Sequence, residues 1–333
     1  MTTVALDAMG GDFAPAATVD GAVATARSGT QVVLVGEQAL IERELARIGD
    51  IPPGLRIKHA GDVIEMGEHA AIEARHRRDS SIYVGLQLVR HGEADAFVSA
   101  GNTGAVFATA LVVLGRLRGV ERPALGAVLP IPAGPGLLLD AGANAECRTS
   151  HLVQFAHLGS AYMRTVMGVT EPRVGLLNIG EEPTKGTPTL IETHAMLSAS
   201  SLRFIGNVEG RHVFAGEADV IVSDGFTGNI ALKLAEAVID MVFVEMRQVA
   251  SRSTRARIGG MLLRPALREM ATQLDYRKYG AAPLLGVDGT VFVAHGRSDM
   301  STIANAMRSA ASAVEHGMVQ ALAAVPQESL GRG

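Results

Sequence analysis

Residues 92–104 read GEADAFVSAGNTG, and residues 216–228 read GEADVIVSDGFTG. Nine of the 13 positions match. Each copy is an acidic lead-in, a short apolar run, and a glycine-threonine turn that opens a helical stretch. A buried strand that turns sharply into a helix is half of a βαβ unit. Glycine lets the backbone come close to a ligand, and the free N–H groups at a helix start favour an anion. Two readings stay open for the echo. The copies are either two nests aimed at one cleft or convergent strand-turn-helix chemistry.

The same alternation extends in both directions. Apolar β-type runs stand at 4–7, 30–35, 55–59, 96–99, 124–129, 136–140, 173–179, 220–223, 284–287 and 291–294. Helical patterns stand between them at 15–27, 38–48, 79–89, 151–166, 191–198, 229–249 and 302–323. Runs such as VVLV and LLLD suit a mostly parallel sheet covered on both faces. The expectation is an open three-layer α/β/α fold. Residues 1–325 would form one large catalytic unit, with a protruding helical arm at 235–280 and a loose tail at 326–333. Ligands of such sheets sit beyond the C-terminal strand ends. The polar glycine segments follow Leu6, Val98, Leu139, Ile179 and Val222, so they are expected to meet at one edge.

Composition bounds the function. With 333 residues, 47% hydrophobic and 19% charged, the chain can bury a large core, which excludes extended disorder. No tryptophan and 4% aromatics argue against an aromatic-lined sugar or peptide binder. A net charge of -4 argues against nucleic acid as a partner. A single cysteine, Cys147, excludes a disulfide framework and a multi-thiolate zinc site. The start MTTVALDAMGGD has no basic lead and is not read as a signal peptide. The uncharged stretch 96–115 carries SAGNTG and reads as strand, loop and helix rather than a membrane span. The cytoplasm is the expected compartment.

Common signatures are missing: no GxGxxG opens a βα unit, and there is no GxxxxGK[ST], HExxH or GxSxG. Cys147 is either an acyl-accepting nucleophile or a buried small hydrophobe. Asp7, Asp12, Asp140 and Asn144 at strand ends would organise loops or hold a metal, with loop organisation favoured. Asp224 reads as a loop clamp or proton acceptor. Lys185, in NIGEEPTKG, would hold phosphate or neutralise an oxyanion, with Glu181 and Glu182 to orient it; otherwise it is a solvated lysine. His295, in VFVAHGRS, would shuttle protons or be structural. Arg77 and Arg78 precede a helix start and would meet phosphate or solvent. Residues 251–270 carry five arginines against Glu269. Ile258, Leu262 and Leu263 are interleaved with them. This basic amphipathic arm would lie on an anionic membrane, pack in a dimer, or stand in solvent.

The ordered segments LDAMGGD (6–12), RRDSSI (77–82), SAGNTGA (99–105) and LLLDAGANAEC (137–147) span the first half of the chain. VGLLNIGEEPTKG (174–186), FIGNVEG (204–210), DGFTGN (224–229), YRKYGAAPLLGV (276–287) and HGRS (295–298) continue them. Together they resemble the bacterial phosphate acyltransferases of phospholipid synthesis. Glu146 stands where many members carry Asp. The resemblance implies a fold related to isopropylmalate dehydrogenase and phosphate acetyltransferase, and a homodimer. It implies transfer of a long-chain fatty acyl group from acyl carrier protein to inorganic phosphate, with no cofactor. The acyl phosphate would pass to a membrane-bound glycerol-3-phosphate acyltransferase. The protein would sit peripherally on the cytoplasmic membrane face, through Ile258, Leu262, Leu263 and Arg264. On this reading Lys185, His295, Asn229 and Asn102 are the catalytic candidates. Gly10, Gly11, Gly101, Thr103, Gly104, Asn178, Asp224, Gly225, Thr227 and Gly228 are the substrate-binding candidates. A short-chain phosphate acyltransferase, a dehydrogenase on a related fold, or a scaffold without chemistry are the competing readings.

Overall fold

A computed structural model describes residues 1–65, 70–131, 134–274 and 278–330. Eleven strands form one sheet: β1 Thr3–Asp7, β2 Gln31–Gly36, β3 Leu55–His59, β4 Ala96–Ser99, β5 Ala124–Ile131, β6 Gly134–Leu139, β7 Arg173–Asn178, β8 Arg203–Glu209, β9 Val220–Val222, β10 Ala281–Leu285 and β11 Thr290–Ala294. Their spatial order is β3-β2-β1-β4-β11-β10-β5-β6-β9-β7-β8. Helices α1 Ala16–Arg27, α2 Gln38–Ile48, α3 Ala70–His76, α4 Ser81–Arg90, α5 Thr103–Val113, α6 Thr149–Thr165, α7 Pro188–Ser198, α8 Gly225–Ser251, α9 Thr254–Leu274, α10 Met300–Glu315 and α11 Met318–Leu330 cover it.

Strand periodicity separates the two faces. Val4, Leu6, Val32, Leu34, Ala96, Val98, Leu137, Leu139, Val220 and Val222 point into one continuous core with α1, α6, α10 and α11. The alternate residues Ala5, Val33 and Phe97 pack under α4 and α5. Leu138 and Ile221 pack in a third cluster, which Leu232 of α8 joins. Successive side chains of a strand point to opposite faces, so both faces of an apolar strand are buried.

The sheet is mostly parallel, as expected, but it changes direction at its centre. β3, β2, β1, β4 and β11 run together. The steps β11–β10, β10–β5 and β5–β6 are all antiparallel. Three reversals turn β6, β9, β7 and β8 against the first group, although they are parallel to one another. The C-terminal strand ends therefore open on two opposite edges. The expectation that all polar glycine segments meet at one edge is corrected by this reversal.

Smaller differences have local causes. The FIGNVEG stretch is strand β8 at the sheet edge, and its mixed exposure hides the apolar period. The expected helix over 302–323 is α10 and α11, broken at Gly317 with φ +70°. α11 continues to Leu330, past the expected start of the tail. Pro265, expected to begin or kink the second helix of the arm, lies inside α9. Of the motif YRKYGAAPLLGV, Tyr276 and Arg277 lie outside the described residues.

Candidate active site

One edge gathers the ends of β1, β4 and β11. Asp7 closes β1 and is fully buried; its carboxylate accepts from Ser99 Oγ at 2.7 Å and Met9 N at 3.1 Å. Burial pushes its pKa up, and these hydrogen bonds oppose the rise. Ser99 Oγ in turn accepts from Gly101 N at 3.0 Å. A Cβ on Gly10 would lie 2.5 Å from Asp7 Oδ2 and 2.7 Å from Gly101 N, so the two glycine turns pack directly on each other. Gly11 has φ +105°, a conformation that side-chain-bearing residues rarely adopt. Asp12 N donates to Gly296 O at 2.7 Å. Asn102 caps α5, its Oδ1 accepting from Ala105 N at 3.1 Å. Thr103 and Gly104 form the first turn of α5. His295 is exposed, and its Nδ1 accepts from Arg297 N at 3.1 Å. Arg77, close to this half in sequence, is tied to Glu73 at 2.7 Å and Asp62 at 3.3 Å.

The opposite edge gathers the ends of β6, β9 and β7. Asp140 is its clamp. Oδ1 accepts from Leu125 N, Gly142 N and Ala143 N, and Oδ2 from Asn144 N and Asn144 Nδ2, all at 2.7–3.1 Å. Five donors use the acceptor capacity of one carboxylate, so Asp140 organises its loop. Burial raises its pKa, against the pull of those hydrogen bonds. Asn144 passes the order on, because its carbonyl accepts from Gly225 N at 2.8 Å. A Cβ on Gly228 would stand 2.0 Å from Asp140 O, so only glycine lets α8 seat this closely. Asp224 caps α8: its carboxylate accepts from Thr227 N and Thr227 Oγ1, both at 2.8 Å. The second echoed turn is thus locked from inside, as a clamp would be. Asn229, the fifth residue of α8, sits beside Gly142, where a Cβ on Gly142 would be 3.6 Å from the Asn229 side chain.

The loop after β7 is pinned by two asparagines. Asn178 Nδ2 donates to Lys185 O at 3.0 Å, and its Oδ1 accepts from Ile179 N at 2.8 Å. Asn207, from β8, donates to Glu182 O at 2.8 Å. Asn178 therefore shapes the loop with both ends of its amide. Lys185 is exposed and makes no ion pair among the described residues. Glu181 does not orient it: that carboxylate faces Arg211 at 3.4 Å and His212 at 3.7 Å.

The two edges are far apart. β4 and β9 are separated by five strand spacings and β4 and β7 by six; at about 4.8 Å each these are roughly 24 and 29 Å. Lys185 and Asn229, with Asn178, Asp224, Gly225, Thr227 and Gly228, share one edge. Gly10, Gly11, Gly101, Asn102, Thr103, Gly104 and His295 share the other. By strand spacing alone, the two echoed turns stand on strands roughly 24 Å apart.

Cys147 lies beside the Asp140 loop. Burial, then the Asp140 and Asp224 carboxylates, push its thiol up to about 12, so near neutral pH it is the inert thiol and not the nucleophilic thiolate. Sequence reading missed Asn207, whose signal was only an edge strand, and the cavity that Cys147 helps line. Arg116, Arg122 and Arg148 also line that cavity; the cue was the basic run RLRGVER at 116–122. On the arm, Ile258, Leu262, Leu263 and Arg264 are all exposed. No helix among the described residues is long and apolar enough to cross a membrane.

Comparison with known proteins places this geometry in a lineage. Residues 2–321 match the family model described as fatty acid synthesis protein. A phosphate acyltransferase of Myxococcus xanthus (strain DK1622) is 50% identical over 322 residues, covering 95% of this chain and 91% of that protein. One from Moorella thermoacetica (strain ATCC 39073 / JCM 9320) is 46% identical over 328 residues, covering 98% and 96%. Among solved structures, a phosphotransacetylase from Streptococcus pyogenes superposes with a TM-score of 0.62 at 16% identity, covering 94% of each chain, which is a likeness of fold. The ordered motifs, the three-layer sheet and these full-length matches agree: the chain belongs to the fatty acid synthesis protein family and is one of its phosphate acyltransferases.

Proposed function

We propose that the acyl group is a long-chain fatty acyl, carried as the phosphopantetheine thioester of acyl carrier protein, and that transfer occurs at the β6–β9–β7 edge. One observation carries the choice of edge: Lys185 is an exposed cation without a carboxylate partner, standing on a loop held rigid by Asn178 and Asn207. A thioester is already activated, so the step needs no redox or nucleotide cofactor. A phosphate oxygen attacks the carbonyl carbon. The tetrahedral oxyanion collapses, the C–S bond breaks, and the carrier thiolate leaves, taking up the proton that the attacking hydrogen phosphate gives up to become the carrier thiol. Lys185 offsets the charge of phosphate and intermediate, and Asn229 supplies a donor at the α8 start, where the helix dipole favours negative charge. Phosphate as a dianion attacks without a general base, so His295, about five strand spacings from β7, takes no proton in this step. The β1–β4–β11 edge, with Asn102, is then a second socket outside the reacting centre.

The acyl phosphate would pass to a membrane-bound glycerol-3-phosphate acyltransferase. A homodimer and peripheral attachment to the cytoplasmic membrane face fit the exposed apolar residues Leu234, Met241, Val242 and Val249 of α8 and the α9 residues Met261, Leu262 and Leu263. The deciding assay incubates the protein with a long-chain acyl carrier protein, with and without phosphate. Thioester should disappear, and acyl phosphate form, only when phosphate is present. Consumption without phosphate, or a preference for short-chain coenzyme A esters, would overturn the proposal.

A further inference from the structure

A cavity of about 530 Å³ opens between the segment 116–122 and the start of α6, next to the Asp140 loop. Arg116, Arg122, Arg148, Cys147 and His151 line it. Two carboxylates, Glu121 and Glu146, complete it. The charges cancel only in part, three arginines against two glutamates, and Glu146 forms no ion pair among the described residues. Glu121 is engaged at the wall itself, accepting from Ser150 Oγ at 2.9 Å and lying 3.4 Å from His151 Nε2. Arg116 donates to the carbonyl of Glu121. Arg122 and Arg148 form no ion pair among the described residues. Long cationic side chains left unpaired around a concavity are an arrangement for a bound anion.

The helix adds a second, independent feature. α6 is 17 residues long and begins at Thr149, immediately after Arg148. Its flanking residues Arg148 and His151 line the cavity, so the positive end of the helix dipole lies near that wall. The backbone N of Arg148 donates to His151 Nδ1 at 3.2 Å. That leaves the ring proton on Nε2, and burial lowers the pKa of His151, so the ring is a neutral hydrogen-bonding group here. Size narrows the ligand. A lone phosphate would fill only a fraction of this volume, whereas cavities of about 300–1,000 Å³ hold drug-sized organic molecules.

We propose that this cavity is a phosphoryl-binding site, in which Arg122 and Arg148 clamp a phosphate group borne on an organic arm. The ligand chemistry is a phosphate ester. Its position one loop away from Asp140 and the α8 start puts the arm within reach of the transfer edge. The assignment of that arm to the thioester carrier rests on the proposed function; the phosphoryl site itself does not. Free phosphate is the other source of the same chemistry.

The test titrates pantetheine 4′-phosphate and inorganic phosphate, separately, into the full-length wild-type protein and into Arg122→Gln and Arg148→Gln, by calorimetry. Arg43→Gln, an exposed arginine outside the cavity, is the control, and circular dichroism melts confirm that each variant folds. Arg122→Lys keeps the charge and loses the fork, which guards against a purely structural effect. Each Gln variant should lose at least about 10-fold in affinity for pantetheine 4′-phosphate, the Lys variant an intermediate amount, and the control none; one tenfold step corresponds to about 1.4 kcal/mol. An equal loss for inorganic phosphate assigns the site to free phosphate, and no such loss assigns it to the arm. Wild-type protein that binds neither probe, or folded Gln variants that stay within about twofold for both, would overturn the site. Turnover of long-chain acyl carrier protein is measured in parallel: binding that the Gln variants abolish in a wild type without turnover leaves the site standing and removes the donor reading.

Discussion

Asp140 shows how one residue converts a strand end into a platform. Its carboxylate gathers four backbone N–H groups and one side-chain amide, so the loop from β6 to α6 has a fixed shape before any ligand arrives. Preorganised donors of this kind cost no rearrangement at the moment of reaction. Lys185 is the opposite case: its backbone is pinned while its ammonium group stays uncommitted. If it meets the developing charge, Lys185→Ala should lower kcat/KM by about 10²–10³-fold, read by steady-state kinetics; an unchanged value removes the role. Cys147→Ala should retain turnover within about threefold, because a thiol held up to about 12 is protonated under assay conditions. Mass spectrometry after iodoacetamide treatment near neutral pH should find Cys147 largely unmodified. At this scale the sequence was partly legible. Of the two readings of Asp224, clamp or proton acceptor, the capping bonds fit the clamp, because an Asp at a helix start accepts the backbone N–H of the third residue on. The partnering of Glu181 with Arg211 and His212 was illegible, since that contact spans 30 residues.

Elements position these groups through close approach. α8 seats on the Asp140 loop only because Gly228 has no side chain. Gly228→Ala would drive a methyl group into the Asp140 carbonyl, so α8 must shift. The expected outcome is a lower Tm, with a loss of about 1–3 kcal/mol of stability, and weakened turnover; a variant with wild-type melting and kinetics would show that the contact relaxes freely. The α8–α9 arm carries a different expectation. Leu262 is 79% exposed and Leu263 58%, which leaves two large apolar side chains beside Arg264 uncovered by the described residues. Replacing both with serine should reduce co-sedimentation with vesicles containing anionic lipid and leave turnover of soluble substrate intact. Unchanged sedimentation would remove the membrane contact. Helices with strong periodicity, such as α2, were legible to the residue, whereas β8 was not: its exposed alternate positions at an edge look like a polar loop.

The whole molecule is two groups of parallel strands joined through an antiparallel centre. Sequence periodicity revealed the layers but not the reversal, because a strand carries no mark of its direction; only pairing fixes it. The echo at 92–104 and 216–228 consequently describes two separate turns, not one doubled site. This yields a measurable expectation. With roughly 24–29 Å between the edges, Asn102→Ala and Lys185→Ala should have additive effects on ln(kcat/KM), with a coupling energy below about 0.5 kcal/mol. A larger coupling in a double-mutant cycle would mean that both meet the same transition state.

The reversal also sets what can happen simultaneously. On the proposed reading, a folded carrier docked at the Lys185 rim would leave the Asn102 rim uncovered. A visitor to the far rim therefore need not wait for the first to depart, and traffic at the two rims can overlap in time.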